Sequence, residues 1–376
     1  MTLTGVALLS ALGLASAWGP PSGRPDGPWG WEGRDSSSSW DLKKFTTLVA
    51  FGDSYTDDSR LSYISAHNGS LPPVGYDNPP NYAAADGGRV WPQYVKQYTG
   101  ANLYNYAVAG AVCSNDITPK TYVYLQILFP AVQQYEIPAY LADYNYTDPN
   151  GQKFMTAPPN ETVYSIWIGA NDLGSYAFIT DSQVQGTNLV NSTDCVYAQI
   201  QRLYDNGGRY FVVQNVPPLN LAPLYALPEK GGVTSNYAYW PDKPSNLTEI
   251  SYRMMEQVAT TNAIHHYRSP FEVELTTRFQ GARFAVYDVN GLMTDIYNSP
   301  AEYLNGTAPL NVTGVVHRCD ATGNHCVTNA SPDSYLWYDD LHPSEQTERV
   351  IAREFVNVVK GTSRWAMYWG GEKRGW

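Results

Sequence analysis

The sequence predicts an α/β protein built on a mainly parallel sheet with helices on both faces. Short apolar runs rich in β-branched and aromatic residues recur along the chain, and helical periods separate them. Several of the runs stop at a stretch containing Gly and polar residues. Parallel strands need crossover connections, usually helical, and those helices cover both faces of the sheet.

The run from Phe45 to Phe51 is the first buried strand, and it stops at Gly52. Residues 88–100 suit a helix with Gly100 at its end, and 102–110 suit a second strand ending in small residues. Residues 125–144 read as helical in period, with Pro130 and Pro138 expected to break or kink them. Residues 162–172 are the clearest buried strand, again finishing in Gly and polar residues. A helix over 193–205, a strand over 209–218, a long helical segment over 246–279 and a strand over 283–289 follow. The segment 344–360 reads as a terminal amphipathic helix with Val350, Ile351, Phe355 and Val358 on its apolar side. Residues 219–245 and 299–338 lack a clean period and read as loop-rich elaborations.

The first 17 residues are small and apolar and end in Ala15-Ser16-Ala17, which predicts a signal peptide despite the lack of an early Lys or Arg. No later stretch approaches about 20 uninterrupted apolar residues, so no membrane span is expected. Residues 18–40, rich in Pro, Gly and Ser, read as an arm, and 41–376 as a single enlarged domain. Eight N-x-[ST] sequons at Asn68, Asn145, Asn160, Asn191, Asn246, Asn305, Asn311 and Asn329 support export and N-linked glycans, Asn329 least because Pro332 follows Ser331.

A formal net charge of −11 argues against nucleic acid or an anionic membrane as partner. The 30 Tyr and 11 Trp suit stacking on sugar rings, and suit ordinary core positions equally. Four cysteines allow three pairings. Cys319 and Cys326 are close enough to pin a loop, which leaves Cys113 with Cys195. The rival zinc reading lacks a C-x-x-C or H-E-x-x-H motif, and neither His67, His265, His266, His317 nor His325 has a helix-spaced metal partner. No metal or cofactor is expected.

In a parallel sheet the reactive groups gather at the carboxyl ends of the strands. Ser54, Gly110 and Asn171 follow the first, second and third expected strands. An ester hydrolase needs a nucleophile, a base, a group that orients the base, and donors for an oxyanion. Ser54, in Gly52-Asp53-Ser54-Tyr55-Thr56, is the candidate nucleophile, and otherwise a turn serine. His342, with Asp339 three residues before it, is the candidate base and orienting pair, and otherwise part of an acidic loop before a helix. Gly110 offers a backbone N–H that a bulkier residue would shield, and Asn171 a side-chain amide.

Together these form an ordered set: Gly-Asp-Ser, then Asn105-x-Ala107-x-x-Gly110, then Gly169-x-Asn171-Asp172, then Asp339-x-x-His342. The chain therefore resembles the GDSL or SGNH hydrolase superfamily, with Tyr55 in the place of the eponymous Leu. The resemblance implies a three-layer α/β/α sandwich around a parallel sheet of about five strands, like flavodoxin. It implies Ser54 as nucleophile, His342 as base, Asp339 as its partner, and Ser54 N–H, Gly110 N–H and the Asn171 amide as oxyanion donors. Phe51-Gly52-Asp53-Ser54-Tyr55-Thr56-Asp57 and the ending Trp337-Tyr338-Asp339-Asp340-Leu341-His342-Pro343-Ser344 look most like fungal secreted acetylesterases of carbohydrate esterase family sixteen. That implies removal of acetyl groups from acetylated oligosaccharides, such as those derived from hemicellulose; a monomer is expected. A lipase on longer acyl esters could use the same blocks, and a non-catalytic sugar-binding protein would not need to keep them. Gly52-Asp53-Ser54-Tyr55-Thr56 lacks the second Gly of the G-x-S-x-G elbow, which disfavours an α/β-hydrolase.

Overall fold

A computed structural model describes residues 39–320 and 322–370. The expected signal peptide and residues 18–38 of the expected arm lie outside them. Trp40, at the end of that arm, belongs to the core. Its Nε1 donates to the Val359 carbonyl at 2.7 Å, and its ring meets those of Tyr210 and Tyr368 at 5.3 and 5.7 Å.

The apolar runs form strands where expected, though shorter. In chain order the elements begin with β1 (Thr47–Gly52), α1 (Arg60–Ala66), α2 (Trp91–Thr99) and β2 (Asn102–Asn105). Gly100 closes α2 in the left-handed region at φ 73°, donating its N–H to the Lys96 carbonyl. The expected helix over 125–144 is only half right. Residues 121–128 form a hairpin of β3 (Thr121–Tyr122) and β4 (Ile127–Leu128), and helix resumes as α3 (Ile137–Asn145) after one wide turn. Leu125, Ile127 and Phe129 alternate in sequence, a strand period that the helical reading absorbed, and Pro130 ends the hairpin. Pro138 sits in the first turn of α3, where its missing N–H costs nothing.

Next come β5 (Thr162–Trp167), the short α4 (Ala170–Leu173) and α5 (Leu189–Asp205), which Asn188 caps through the N–H groups of Val190 and Asn191. They lead to β6 (Tyr210–Gln214), α6 (Leu247–Pro270), β7 (Arg283–Tyr287) and α7 (Val289–Asn298). The aperiodic stretch 299–338 holds β8 (Asn311–Val315), β9 (His317–Cys319), β10 (Cys326–Thr328) and β11 (Tyr335–Trp337), paired two by two. Finally α8 (Glu345–Val359) leads to β12 (Ala366–Gly370).

The main sheet runs β12-β7-β6-β5-β1-β2. Five strands are parallel, and β12 joins antiparallel at the β7 edge, a sixth strand absent from the sequence reading. The parallel strands follow the order second, first, third, fourth, fifth, the flavodoxin-like arrangement. Alternate residues face opposite layers: Leu48 and Ala50 meet the core under α2, α7 and α8, while Val49 and Phe51 meet the core under α3 and α5. The order reverses between β1 and β5, so a crevice opens at their carboxyl ends. Ser54 follows one and Asn171 the other.

Candidate active site

β1 enters the site through Gly52. A Cβ there would lie 2.3 Å from the Trp167 carbonyl oxygen, so only glycine lets β1 and β5 stay paired at this point. A tight turn follows, closed by the Thr56 and Asp57 N–H groups on the Asp53 carbonyl at 2.9 Å. The turn lifts Ser54 to the sheet edge, 9 % exposed. Its Oγ lies 2.8 Å from His342 Nε2.

His342 reaches this position from a loop organised by Asp339. Asp339 Oδ1 accepts the Leu341 and His342 backbone N–H groups at 2.8 and 2.7 Å, and both carboxylate oxygens lie 3.0 Å from His342 Nδ1. The Asp-x-x-His spacing thus closes a turn in which one side chain holds the backbone and the ring together. Burial raises the Asp339 carboxyl, but His342 beside it and the donors around it outweigh burial and hold it below its usual value. Burial likewise lowers His342, while Asp339, with Asp53 and Asp86 farther off, outweighs this and raises it. Asp340, next in the chain, is an anchor rather than a stray charge. It pairs with Arg318 at 2.6 Å and accepts from Asn236 at 2.8 Å.

Tyr239 and Tyr55 complete the cradle of the imidazole, and the sequence reading assigned neither a part in it. Tyr239 donates its hydroxyl to Asp339 Oδ2 at 2.7 Å. Tyr55 donates to the Leu341 carbonyl at 2.8 Å, and both rings meet His342 edge-on at 5.5–5.6 Å. Tyr239 comes from an aperiodic loop about 100 residues away, so no spacing pointed to it. Asp53, beside Ser54, is pushed up to about 7 by burial, against the Tyr55 N–H and His342, which lower it.

The donor side is built by two side chains. Asp57 accepts the Ser59, Arg60 and Leu61 N–H groups at the start of α1, and the Ala109 N–H at 2.8 Å. Asn105 donates to the Thr56 carbonyl at 2.6 Å and accepts from the Ala107 N–H. Between them they tie the turn after β1 to the loop after β2. Gly110 there has φ 85°, and a Cβ would lie 2.4 Å from the Phe129 ring, so glycine is required on both counts. Among the described residues, neither the Ser54 nor the Gly110 N–H has a protein acceptor.

Asn171 Nδ2 donates one hydrogen to the Ala111 carbonyl at 3.0 Å, and its Oδ1 accepts from Lys120 Nζ at 3.0 Å. Burial pulls Lys120 down to about 8, against the opposing pull of Asp172 and Asp53. Asp172 accepts from Cys113 N–H, Thr118 and Ser192, which anchors α4.

The structure therefore brings Ser54, His342 and Asp339 into one hydrogen-bonded chain, with Gly110 and Asn171 on elements tied to it. The disulfides join Cys113 to Cys195 and Cys319 to Cys326. His317 lies close to the second pair, but both sulfurs are in the bridge. A cavity of about 300 Å³ lies elsewhere, between Arg89, Tyr104 and Phe154, and includes none of these groups. Geometrically, the imidazole can take the Ser54 proton while its other nitrogen stays bonded to a carboxylate.

Residues 48–355 match the model of the GDSL-like lipase/acylhydrolase family. An acetylesterase of Hypocrea jecorina is 40% identical over 327 residues, covering 86% of this chain and 92% of that protein. An acetylesterase of Thermothelomyces thermophilus is 25% identical, covering 84% and 88%. The GDSL esterase/lipase EXL5 of Arabidopsis thaliana is also 25% identical, covering 85% and 92%. The chain belongs to the GDSL-like lipase/acylhydrolase family and is a carboxylic ester hydrolase.

Proposed function

We propose that the protein is a secreted serine acetylesterase that removes acetyl groups from sugar hydroxyls, with hemicellulose-derived oligosaccharides such as acetylated xylo-oligosaccharides as the substrate class. The observation that carries this reading is the unbroken hydrogen-bonded chain from Ser54 through His342 to Asp339. The acetylesterase name of the relative at 40% identity supports the acyl group. Export rests on the small apolar leader and the sequons. Of these, Asn68, Asn145, Asn160, Asn246, Asn305 and Asn329 are exposed, and Asn145, Asn246 and Asn329 each donate an amide hydrogen to a neighbouring protein oxygen. No helix among the described residues is long and apolar enough to cross a membrane. The working form is a monomer, and no cofactor takes part.

Ser54 Oγ attacks the ester carbonyl carbon while His342 Nε2 takes its proton, giving a tetrahedral oxyanion. The Ser54 N–H, the Gly110 N–H and the remaining Asn171 N–H hold that charge. Collapse expels the sugar alcohol, which takes the proton from His342. Water then repeats the sequence, releasing acetate and restoring Ser54. Asp339 stays ionised and steadies the imidazolium.

Hydrolysis of a panel from aryl acetate through acetylated xylo-oligosaccharides to long-chain esters tests the reading. Preference for acetylated sugars, abolished by His342→Ala, is expected. Full activity in His342→Ala would refute the triad. A lipase reading draws on Val123 and Tyr124, 63% and 77% exposed on the hairpin whose flank packs over Gly110. Faster turnover as the acyl chain lengthens would favour it.

A further inference from the structure

Lys120 has a charge that the triad does not use, and its only described polar side-chain contact is with a neutral amide. Asp172 and Asp53 are the acidic groups that face it, yet its Nζ bonds to Asn171 Oδ1 at 3.0 Å instead. We propose that Lys120 is a positioning residue: it fixes which end of the Asn171 amide faces the reacting ester and strengthens the N–H offered there. The proposal rests on the reading of Asn171 as an oxyanion donor.

An asparagine amide can rotate by half a turn at little steric cost, and the two orientations are chemically opposite. One presents donors, the other an acceptor that would repel an oxyanion. A protonated lysine can only donate, so the atom it meets must be the oxygen. That places Nδ2 on the far side, with one hydrogen on the Ala111 carbonyl at 3.0 Å and one left over. The ammonium also draws electron density through the amide toward its oxygen, which makes the remaining N–H a better donor.

Lys120 is itself held in place. Its N–H donates to Asn115 Oδ1 at 3.2 Å and its carbonyl accepts the Phe129 N–H at 2.9 Å. Asn115 Nδ2 also bonds the Phe129 carbonyl at 2.9 Å. Phe129 covers Gly110, so the base of one hairpin governs two of the three proposed donors. Deprotonation of Lys120, near pH 8, would end its control, because a neutral amine can accept as well as donate.

The test is steady-state kinetics on aryl acetate across pH for the wild type, Lys120→Met, Lys120→Arg, Asn171→Ala and Lys120→Met with Asn171→Ala. Lys120→Met should lower kcat about 10- to 100-fold, less than the ~10²–10³ typical for outright loss of a donor, with KM nearly unchanged. Lys120→Arg should recover most of kcat. In the Asn171→Ala background Lys120→Met should cost less than about threefold, since the two act as one unit. The wild-type kcat should fall on an alkaline limb near pH 8 that Lys120→Arg lacks. Wild-type turnover in Lys120→Met, with Asn171→Ala slow, overturns this proposal alone. Wild-type turnover in Asn171→Ala overturns the oxyanion reading and this proposal with it. Fully multiplying effects in the double variant also overturn it. Should Lys120→Met fail to fold, the wild-type profile decides: no alkaline limb sinks the idea.

Discussion

His342 sits between opposing demands. The carboxylate that orients it also raises its proton affinity, and the neutral ring is the form that can take a proton from Ser54. Activity should therefore rise with pH through a midpoint above the ordinary histidine value of about 6.5. An acid limb centred well below 6 in kcat/KM would contradict this. Tyr239 moderates the same balance, because its hydroxyl takes up part of the Asp339 charge. In Tyr239→Phe the carboxylate loses a charged hydrogen bond, a type worth about 1.5–3 kcal/mol. The remaining charge then holds the imidazolium proton more firmly, so the acid limb should move to higher pH while kcat falls by less than about tenfold. A limb that stays put or moves down would refute the role given to Tyr239.

The two disulfides brace different kinds of element. Cys113–Cys195 ties the buried loop after β2 to α5 across 82 residues, and the Cys113 N–H also bonds Asp172 at the start of the Asn171 turn. Cys319–Cys326 closes a small hairpin of seven residues' separation, with Cys326 exposed. Cross-link stabilisation grows with the loop closed. The pair Cys113→Ala/Cys195→Ala should cost about 2–5 kcal/mol in denaturant unfolding, and Cys319→Ala/Cys326→Ala clearly less. A larger loss from the small hairpin would reverse this account. Asn188, by contrast, should cost only about 1 kcal/mol as Asn188→Ala, the usual worth of an N-cap.

Taken as a molecule, the protein buries several carboxyl groups. Asp53, Asp58 and Asp86 are each pushed up to about 7, and Glu136 and Glu348 well above their usual value, with burial the largest cause in every case. A carboxyl raised in the folded state binds its proton there while the unfolded chain has released it. Its contribution is complete below the unfolded value of about 4 and is lost as pH rises toward 7. Asp41, Asp339 and Glu161 are lowered instead, so their contribution is present above about 4 and fades as pH falls below it. The net charge of −11 adds self-repulsion at neutral pH that shrinks toward the pI of about 5.0. Stability should therefore peak between about pH 4 and 6, below the pH at which His342 is fully neutral. Thermal scans from pH 4 to 8 check this, and a higher Tm at pH 8 than at pH 5 would falsify it.

Period and punctuation in the sequence carried the alternating architecture. β1, β5, β6 and β7 are buried runs bounded by turn residues, and such runs announce themselves locally. The same locality marked Ser54, Gly110, Asn171, Asp339 and His342, because each follows a strand or precedes a helix in a short block. The hairpin at 121–128 escaped since Leu125, Leu128 and Phe129 stand at helical spacing while Leu125, Ile127 and Phe129 alternate, and β12 was missed at the far edge. Tyr55, Lys120 and Tyr239 escaped for another reason. Their parts exist only as contacts: a phenol on a carboxylate about 100 residues away, an ammonium on an amide 51 residues away. Hydrogen bonds between distant loops leave no period in the chain. Folding creates them when the strand order reverses between β1 and β5 and brings those loops to one crevice.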